Sequence, residues 1–107
     1  MTVKTMPLSS QQVRALRAEA HRLKLKPVVM IGQHGLSENV INELESTIDH
    51  HELIKIRIPG GDKTEKNALI DSICQQLKAE PVQSIGNVVV LFRKHPKSTR
   101  FLKFIKG

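Results

Sequence analysis

Two glycines separated by two polar residues are the feature of this chain best suited to bind a phosphate group. The segment reads Gly32-Gln33-His34-Gly35, and glycine lets a ligand approach closely because it has no Cβ atom. Gln33 and His34 carry hydrogen-bond donors for phosphate or sugar oxygens. A helix is predicted to follow, and a helix N-terminus attracts anions. Because many GxxG segments are plain tight turns, this interpretation depends on the charges nearby.

Basic side chains lie on both sides of this loop in the sequence. A helix is predicted from Gln11 to about Lys24, with one apolar face and one basic face. The basic face of that helix predicts a second contact surface for an anion, although an ordinary solvated face would show the same pattern. Together with the four loop residues, this reasoning gives Arg14, Arg17, His21, Lys24 and Lys26 as candidate binding residues.

The charge of the chain is uneven along its length. The 107 residues include 17 Lys and Arg against 10 Asp and Glu, which gives a formal charge of +7. Residues 1–36 contain six basic and one acidic side chain, residues 37–80 five and nine, and residues 81–107 six and none. Positive charge concentrated in two regions favours a polyanion partner, usually nucleic acid, over a protein that is merely basic.

Catalytic and metal-binding interpretations find little support in the sequence. The five histidines lack zinc-ligand spacing and the single cysteine, Cys74, has no second cysteine to join it. Cys74 lies on the predicted apolar face of a helix, which predicts a core position. Acidic residues such as Asp49 and Glu52 are expected on solvent faces. The sequence therefore predicts no catalytic residue, no metal ligand and no cofactor.

Aromatic residues make up only 3% of the chain, and Trp and Tyr are absent. A base-stacking sheet of the RNA recognition motif type is therefore not expected. Binding should depend on phosphates, sugars and the shape of the nucleic acid.

Hydrophobic periodicity and turn residues predict three helices and four strands in the order α-β-α-β-α-β-β. This is an α/β fold, a compact two-layer arrangement with a mixed four-stranded sheet. The predicted helices run from Gln11 to about Lys24, from a cap at Ser37, and from Asp62 to near Ala79. The predicted strands are Val28 to Ile31, Leu53 to Ile58, Val82 to Ile85 and Val88 to Phe92. The second strand alternates isoleucines with Lys55 and Arg57, and Gly86-Asn87 is predicted to form a tight turn between the last two strands.

The expected domain organisation is a flexible N-terminus at residues 1–8, one binding domain at residues 9–96 and a basic amphipathic tail at residues 97–107. The N-terminus shows no secretory signal, and no apolar run is long enough to cross a bilayer. We therefore expect a cytoplasmic protein with no membrane partner.

Four short motifs, read together, resemble those of a known family. They are Leu23 to Pro27, then IGQHGLS at residues 31–37, HHELIKI at residues 50–56 and IGNVVVLFR at residues 85–93. In this order they resemble the CRM domain, and more closely the bacterial single-domain YhbY-like proteins. The resemblance covers about residues 10–96.

The resemblance implies a fold similar to the C-terminal domain of translation initiation factor 3, and RNA binding through the GxxG loop. It also implies a basic RNA-binding surface on the first helix and at Lys24, Lys26, Lys55 and Arg57. Bacterial members associate with precursors of the large ribosomal subunit, and plant relatives assist group II intron splicing. The expected partner is therefore ribosomal RNA in such precursors, bound by a monomer. Many CRM loops carry a lysine between the glycines, whereas this chain has Gln33 and His34, which shifts the expected affinity onto neighbouring cations.

Three alternatives remain open at the level of sequence. A KH-like module would have its GxxG loop between two helices, whereas Pro27 and the β-branched residues after it indicate a strand. A protein-interaction adaptor would use the basic tail to bind an acidic partner. A catalytic role would need activity that depends on His34 or Cys74.

Overall fold

The computed structural model describes residues 8–32, 35–95, 97, 100 and 101. The three helices are α1 (Ser10–Arg22), α2 (Glu38–His51) and α3 (Lys63–Leu77). The four strands are β1 (Pro27–Met30), β2 (Leu53–Arg57), β3 (Glu80–Ile85) and β4 (Val88–Phe92). This order, α1-β1-α2-β2-α3-β3-β4, is the predicted one.

Each helix begins at a polar side chain that caps its first turn. The Ser37 hydroxyl accepts a hydrogen bond from the Val40 N–H at 3.2 Å. At the start of α3, Asp62 accepts from the Glu65 N–H and the Glu65 carboxylate accepts from the Asp62 N–H, which is a capping box. Both starts were predicted from sequence. Such caps satisfy backbone donors that have no partner within the helix.

The sheet has the strand order β1-β2-β4-β3. Strands β1 and β2 are parallel, whereas β4 is antiparallel to both β2 and β3. Gly86, at a φ of +57°, forms the predicted tight turn between β3 and β4 with Asn87. The carboxyl ends of β1 and β2 therefore lie at the same end of the sheet as this turn. We call this end the loop end, because the GxxG segment follows β1 there.

Helices α2 and α3 pack on one face of the sheet. Their apolar side chains and alternate residues of the strands form one buried cluster, with Leu44, Ile48, Ile56 and Leu91 all fully buried in it. The sheet and these two helices form two layers, and we call this side of the sheet the closed face. Helix α1 adds a partial third layer on the opposite side, which the predicted two-layer arrangement did not include.

Helix α1 packs on the opposite face of the sheet and covers part of it. Leu16 and Ala20 join Val82, Phe92 and Phe101, among others, in a second, smaller core cluster. The Phe101 ring meets the Phe92 ring edge to face, with 5.8 Å between the centroids. A residue beyond the predicted domain boundary thus contributes to the core. The predicted boundary at residues 96 and 97 remains a prediction.

Strand β3 begins at Glu80, two residues earlier than predicted, and so contains Pro81. A proline cannot donate a ladder hydrogen bond, which excludes it from central strands but not from edge strands. Strand β3 is an edge strand and Pro81 is exposed. Sequence analysis placed Pro81 before the strand, because the sequence does not show that this strand lies at the edge of the sheet, where proline is tolerated.

Glu52 is buried, with 2% of its surface exposed, and the expectation of a solvent position for it is wrong. It ends α2 at a φ of +65°, and its carbonyl accepts a hydrogen bond from the Arg93 N–H. Its carboxylate accepts from the His95 N–H at 2.9 Å. These bonds attach the chain after β4 to the end of α2.

Within the described part of the chain, no helix has both the length and the apolar character needed to cross a membrane.

Candidate nucleic-acid interface

The GxxG segment begins directly beside the end of β2. The Ile31 N–H donates to the Arg57 carbonyl at 2.8 Å, which carries the β1–β2 pairing up to the first glycine. The Gly35 N–H then donates to the Gly32 carbonyl at 3.0 Å and closes a turn. Residues 33 and 34, two of the predicted binding residues, lie outside the described residues.

Glycine occurs at positions 32 and 35 for different reasons. Gly35 has a φ of +75°, in the left-handed region that other residues rarely adopt. Gly32 has no such φ, and a Cβ atom built there meets no described atom within 4 Å. Neither backbone geometry nor packing within the described chain therefore requires glycine at position 32. Close approach of a molecule from outside would require it.

Helix α2 begins at Glu38, three residues after Gly35, so its N-terminus lies near the loop end. Glu38 lies in the first turn of α2 and is exposed. Its negative charge complements the helix dipole, which stabilises the helix but also opposes the approach of a phosphate. The loop must therefore rely on neighbouring cations for much of its attraction.

Two cations of β2 project from the face of the sheet opposite α2 and α3. The alternation along β2 buries Ile54 and Ile56 on the closed face, so that Lys55 and Arg57 point the other way. Arg57 is exposed, and it pairs across the ladder with Met30, two residues before Gly32. The structure thus brings Arg57 beside the start of the GxxG segment, as the binding hypothesis requires.

Lys55 is paired with Pro27 at the start of β1. Lys26 precedes that proline and is exposed. The three cations Lys26, Lys55 and Arg57 therefore lie on two neighbouring parallel strands, which are about 4.8 Å apart in a sheet.

Helix α1 carries the remaining predicted cations. Arg14, Arg17 and His21 are all exposed and recur on one side of the helix. Arg22 lies on the other side, where its guanidinium forms an ion pair with Glu19. The basic side of α1 therefore keeps its charge, whereas the cation on the other side is neutralised.

Lys24 occupies an unusual backbone position just after α1. Its φ is +54°, its N–H donates to the His21 carbonyl, and the Leu25 N–H donates to the Ala20 carbonyl. This is the Schellman arrangement, in which glycine usually takes the left-handed position. A lysine at this position costs backbone energy and leaves an exposed amine at the helix end.

Part of the sheet face under α1 remains uncovered, and sequence analysis did not identify it. Met30 is 68% exposed and Ile85 is 64% exposed, although both lie in strands. They belong to one cross-strand row, Met30, Arg57, Val88 and Ile85, at the loop end of the sheet. We call this row, together with Lys55 and Gln83 of the next row, the open face. Its apolar residues looked like ordinary core residues, because an alternating strand pattern does not show which rows a helix will cover.

Among known protein families, one matches nearly the whole described part of this chain. A model of the CRS1 / YhbY (CRM) domain matches residues 8–93. The chain belongs to this family. The matched range begins two residues before α1 and ends just after β4, so it includes every predicted binding residue.

Several relatives are similar over most of their length. A Haemophilus influenzae protein named as an RNA-binding protein is 44% identical over 86 residues, which cover 80% of this chain and 85% of the relative. A Pseudomonas aeruginosa protein named "Probable RNA-binding protein" is 36% identical over 100 residues, with 94% of each chain covered. A Methanocaldococcus jannaschii protein with the same kind of name is 32% identical over 97 residues, which cover 89% of this chain and 70% of the relative.

A solved structure shares the fold. The solution structure of a Staphylococcus aureus protein, described as hypothetical and as a candidate RNA binder, superposes with a TM-score of 0.73. Its sequence is 31% identical, and the match covers 85% of this chain and 93% of that one. The predicted α/β fold with a mixed four-stranded sheet is therefore confirmed.

Two further groups have structural roles in this CRM domain. Arg93, in the last matched motif, donates hydrogen bonds to the Leu77 carbonyl at 2.9 Å and to the Glu45 carboxylate at 3.0 Å. It joins the ends of α2, α3 and β4. Cys74 packs beside the closed-face cluster, as predicted. Burial, followed by the nearby charges of Asp71 and Glu80, raises the pKa of its thiol to about 11. A thiol with that pKa is mostly protonated at neutral pH and is a poor nucleophile.

Among the described residues, no three His, Cys, Asp or Glu side chains come together in a group that could hold a metal ion.

Proposed function

We propose that this CRM domain is a non-catalytic RNA-binding protein that holds RNA backbone at the GxxG loop and on the cations beside it. The observation that carries the proposal is the pairing of Arg57 with Met30 and its bond to Ile31, which brings a strand cation beside Gly32. The names of its relatives support RNA as the polyanion.

The chemistry of these groups suits phosphate. An arginine presents a planar fork of donors that matches two phosphate oxygens, whereas a lysine acts as a mobile point charge. Arg57 and Lys55 supply one of each on β2. The open space over Gly32 allows the backbone of an RNA strand to approach the loop closely.

The topology supports a role for α1 in the same surface. Strands β1 and β2 are joined through α2, and such parallel crossovers are right-handed in almost all proteins. Helix α1 starts beside β3, where the Leu8 N–H bonds to Glu80, and its chain continues into β1. Helix α1 therefore crosses the sheet from the start of β3 to the start of β1, at the end opposite the loop end. A right-handed crossover fixes the order of the strands under it. Given that order, and with Leu16 and Ala20 facing the sheet, the side of α1 that bears Arg14, Arg17 and His21 faces the loop end.

Acidic residues lie on the far side of the molecule and favour one orientation of the RNA. The exposed residues of α2, which packs on the closed face, include Glu43, Glu45 and Asp49. Phosphates are repelled there and attracted to the opposite face. RNA should therefore approach from the side of α1 and the open face.

The biological setting follows from the family resemblance. We propose ribosomal RNA in large-subunit precursors as the target, bound by a cytoplasmic monomer during subunit assembly. Nothing in the proposed chemistry requires a cofactor, because binding depends on charge and shape alone.

Two glycine variants, measured across a salt series, test the proposal. The affinity of the wild type for a structured ribosomal RNA fragment should fall steeply with salt, since each neutralised phosphate releases counterions. Gly32→Ala should weaken this binding without unfolding the protein, because its Cβ points into open space. Gly60→Ala is the matched control, since its Cβ would meet only the Asn87 amide at 3.6 Å. A salt-independent affinity, or equal effects of both variants, would contradict the proposal.

The adaptor alternative predicts that the basic C-terminal segment is the binding site. Deleting residues 102–107 tests this alternative better than deleting residues 97–107, because Phe101 belongs to the core and should stay. If this truncation abolishes RNA binding while Gly32→Ala has no effect, the tail is the site and the loop assignment is wrong. The KH alternative is not supported, since strand β1 precedes the loop.

A further inference from the structure

Exposed apolar side chains are concentrated on the open face, where the proposed backbone contacts do not use them. Met30 and Ile85 lie at the two ends of one cross-strand row, with Arg57 and Val88 between them. Apolar side chains occupy three of the four positions of this row, and Ile85 lies directly across the ladder from Val88. Apolar groups exposed next to one another, rather than singly, mark an interaction site. The loop and the cations account for phosphate binding and leave this row unexplained.

A shallow concavity of about 240 Å³ lies on the β3 side of the open face, and its walls are mostly apolar. Ile85, Val88 and Val90 line it, and Lys55 and Gln83 supply its polar atoms. Sites for drug-sized ligands are usually larger, from about 300 Å³ upward. A concavity of this size suits one base or one sugar. The polar groups at its edge can bond to the edge of a base.

Charge decides between the occupants that an apolar sheet face could have. The row and its neighbours contain two cations, Lys55 and Arg57, and no carboxylate. A second copy of the open face would place its own Lys55 and Arg57 against these cations, and like charges repel each other. The basic tail of the chain would meet the same repulsion. A nucleotide combines a flat apolar ring with a negative phosphate, which complements both components of the face.

We propose that the open face binds unpaired nucleotides of the RNA, with a base against Ile85 and Val88 and the adjoining phosphates on Lys55 and Arg57. This inference rests on the proposed function and specifies its substrate as RNA with unpaired residues next to the backbone segment held by the loop. Aliphatic and thioether side chains here take the place of aromatic rings, since the paired residues of the open face include none. Methionine suits this role because its side chain is flexible and polarisable.

The affinity ratio between two RNAs tests the inference. One RNA is a hairpin with a single-stranded extension, and the other is a fully paired duplex of the same number of phosphates. The wild type should bind the extended RNA about tenfold more tightly, since packing of a base against a side chain changes affinity by that order. The double variant Met30→Thr/Ile85→Thr should reduce the ratio to about two, because threonine keeps the strand propensity but removes most of the apolar surface.

Leu23→Thr provides the matched control. Leu23 is 43% exposed, but it lies at the end of α1 and not in the sheet. This variant should leave the ratio at its wild-type value. A gain-of-function variant, Ile85→Phe, should raise the ratio, because a ring stacks on a base more strongly than an aliphatic chain. Both sheet positions are exposed, so none of these changes should unfold the protein.

The outcomes separate this inference from the proposed function. If the double variant keeps the wild-type ratio, or if the wild type prefers the duplex, the inference is wrong while backbone binding stands. If the wild type binds neither RNA, the proposed function itself fails. If the double variant converts a dimer to a monomer in light-scattering measurements, the face is an interface between copies and the inference is overturned.

Discussion

The two faces of the sheet are built from the same strands but have opposite surfaces. On the closed face, α2 and α3 cover the strand residues, and Ile54, Ile56 and Val89 are almost completely buried. On the other face, α1 covers the rows near the start of β3 and leaves the rows at the loop end exposed. The residues that project there are cations and exposed apolar side chains.

Because of this difference, neighbouring residues of one strand have different roles: one contributes to stability and the next is available for binding. Ile56 and Arg57 are neighbours in β2, yet the first is fully buried and the second is exposed. Substitutions on the closed face should change the free energy of unfolding, and substitutions on the open face should change affinity. The following predictions test this separation, from the largest expected effect to the smallest.

Ile56→Ala should lower the free energy of unfolding by about 2–5 kcal/mol, because it removes buried methyl and methylene groups and leaves a cavity. Urea denaturation measures this loss. At a temperature where the variant is still folded, its RNA affinity should equal that of the wild type. An affinity loss in the folded variant would show that the two faces are not independent.

The double variant Lys55→Ala/Arg57→Ala should lower the RNA affinity and leave the free energy of unfolding nearly unchanged. Each charge-assisted hydrogen bond contributes about 1.5 kcal/mol, which corresponds to about tenfold in affinity for each cation. The slope of log affinity against log salt should also become shallower by about two. Lys63→Ala/Lys78→Ala, at the two ends of α3, removes the same charge on the closed side and should have little effect. Equal losses in both double variants would indicate that only net charge matters.

Two lysines in left-handed conformations form a matched pair. Lys24 follows α1 with a φ of +54°, and Lys78 follows α3 with a φ of +56°. Replacing either by glycine removes one charge and should raise the free energy of unfolding by up to about 1 kcal/mol, since glycine adopts this conformation without strain. Only Lys24→Gly should weaken RNA binding, by about tenfold. If Lys78→Gly weakens RNA binding as much as Lys24→Gly does, the end of α1 has no special role in RNA binding and is not part of the proposed interface.

Glu38→Gln should produce the smallest change, with opposite signs for affinity and stability. Removing this charge from the first turn of α2 weakens its favourable interaction with the helix dipole by about 0.5 kcal/mol. The same change removes a repulsion of phosphate near the loop and should raise RNA affinity about twofold. Unchanged affinity would show that phosphate does not approach the N-terminus of α2.

Local signals in the sequence predicted most of the fold. The Ser37 and Asp62 caps, the alternation of β2 and the Gly86-Asn87 turn are each encoded within a few residues, and the structure contains all of them. Strand β4 also has its predicted limits of Val88 and Phe92. Such features need no knowledge of the tertiary fold.

The features that sequence analysis missed depend on contacts between distant segments. Glu52 looks like a solvated helix-end residue until the chain after β4 supplies its partner, the His95 N–H, 43 positions away. The exposure of Met30 and Ile85 depends on where α1 crosses the sheet. The cations of α1 could be named from their spacing, and Lys55 and Arg57 from the family resemblance. The adjacency of Arg57 to the GxxG loop follows only from the pairing of β2 with β1.

Chemical-shift mapping of the full-length protein with a structured ribosomal RNA fragment would test the account most directly. The account predicts shifts at the amides of Gly32 and Gly35, along β2 at Lys55 and Arg57, and at the methyl group of Met30. The outer surfaces of α2 and α3 should remain unchanged. Shifts confined to those helices or to the terminal residues, with the loop and β2 unaffected, would contradict it.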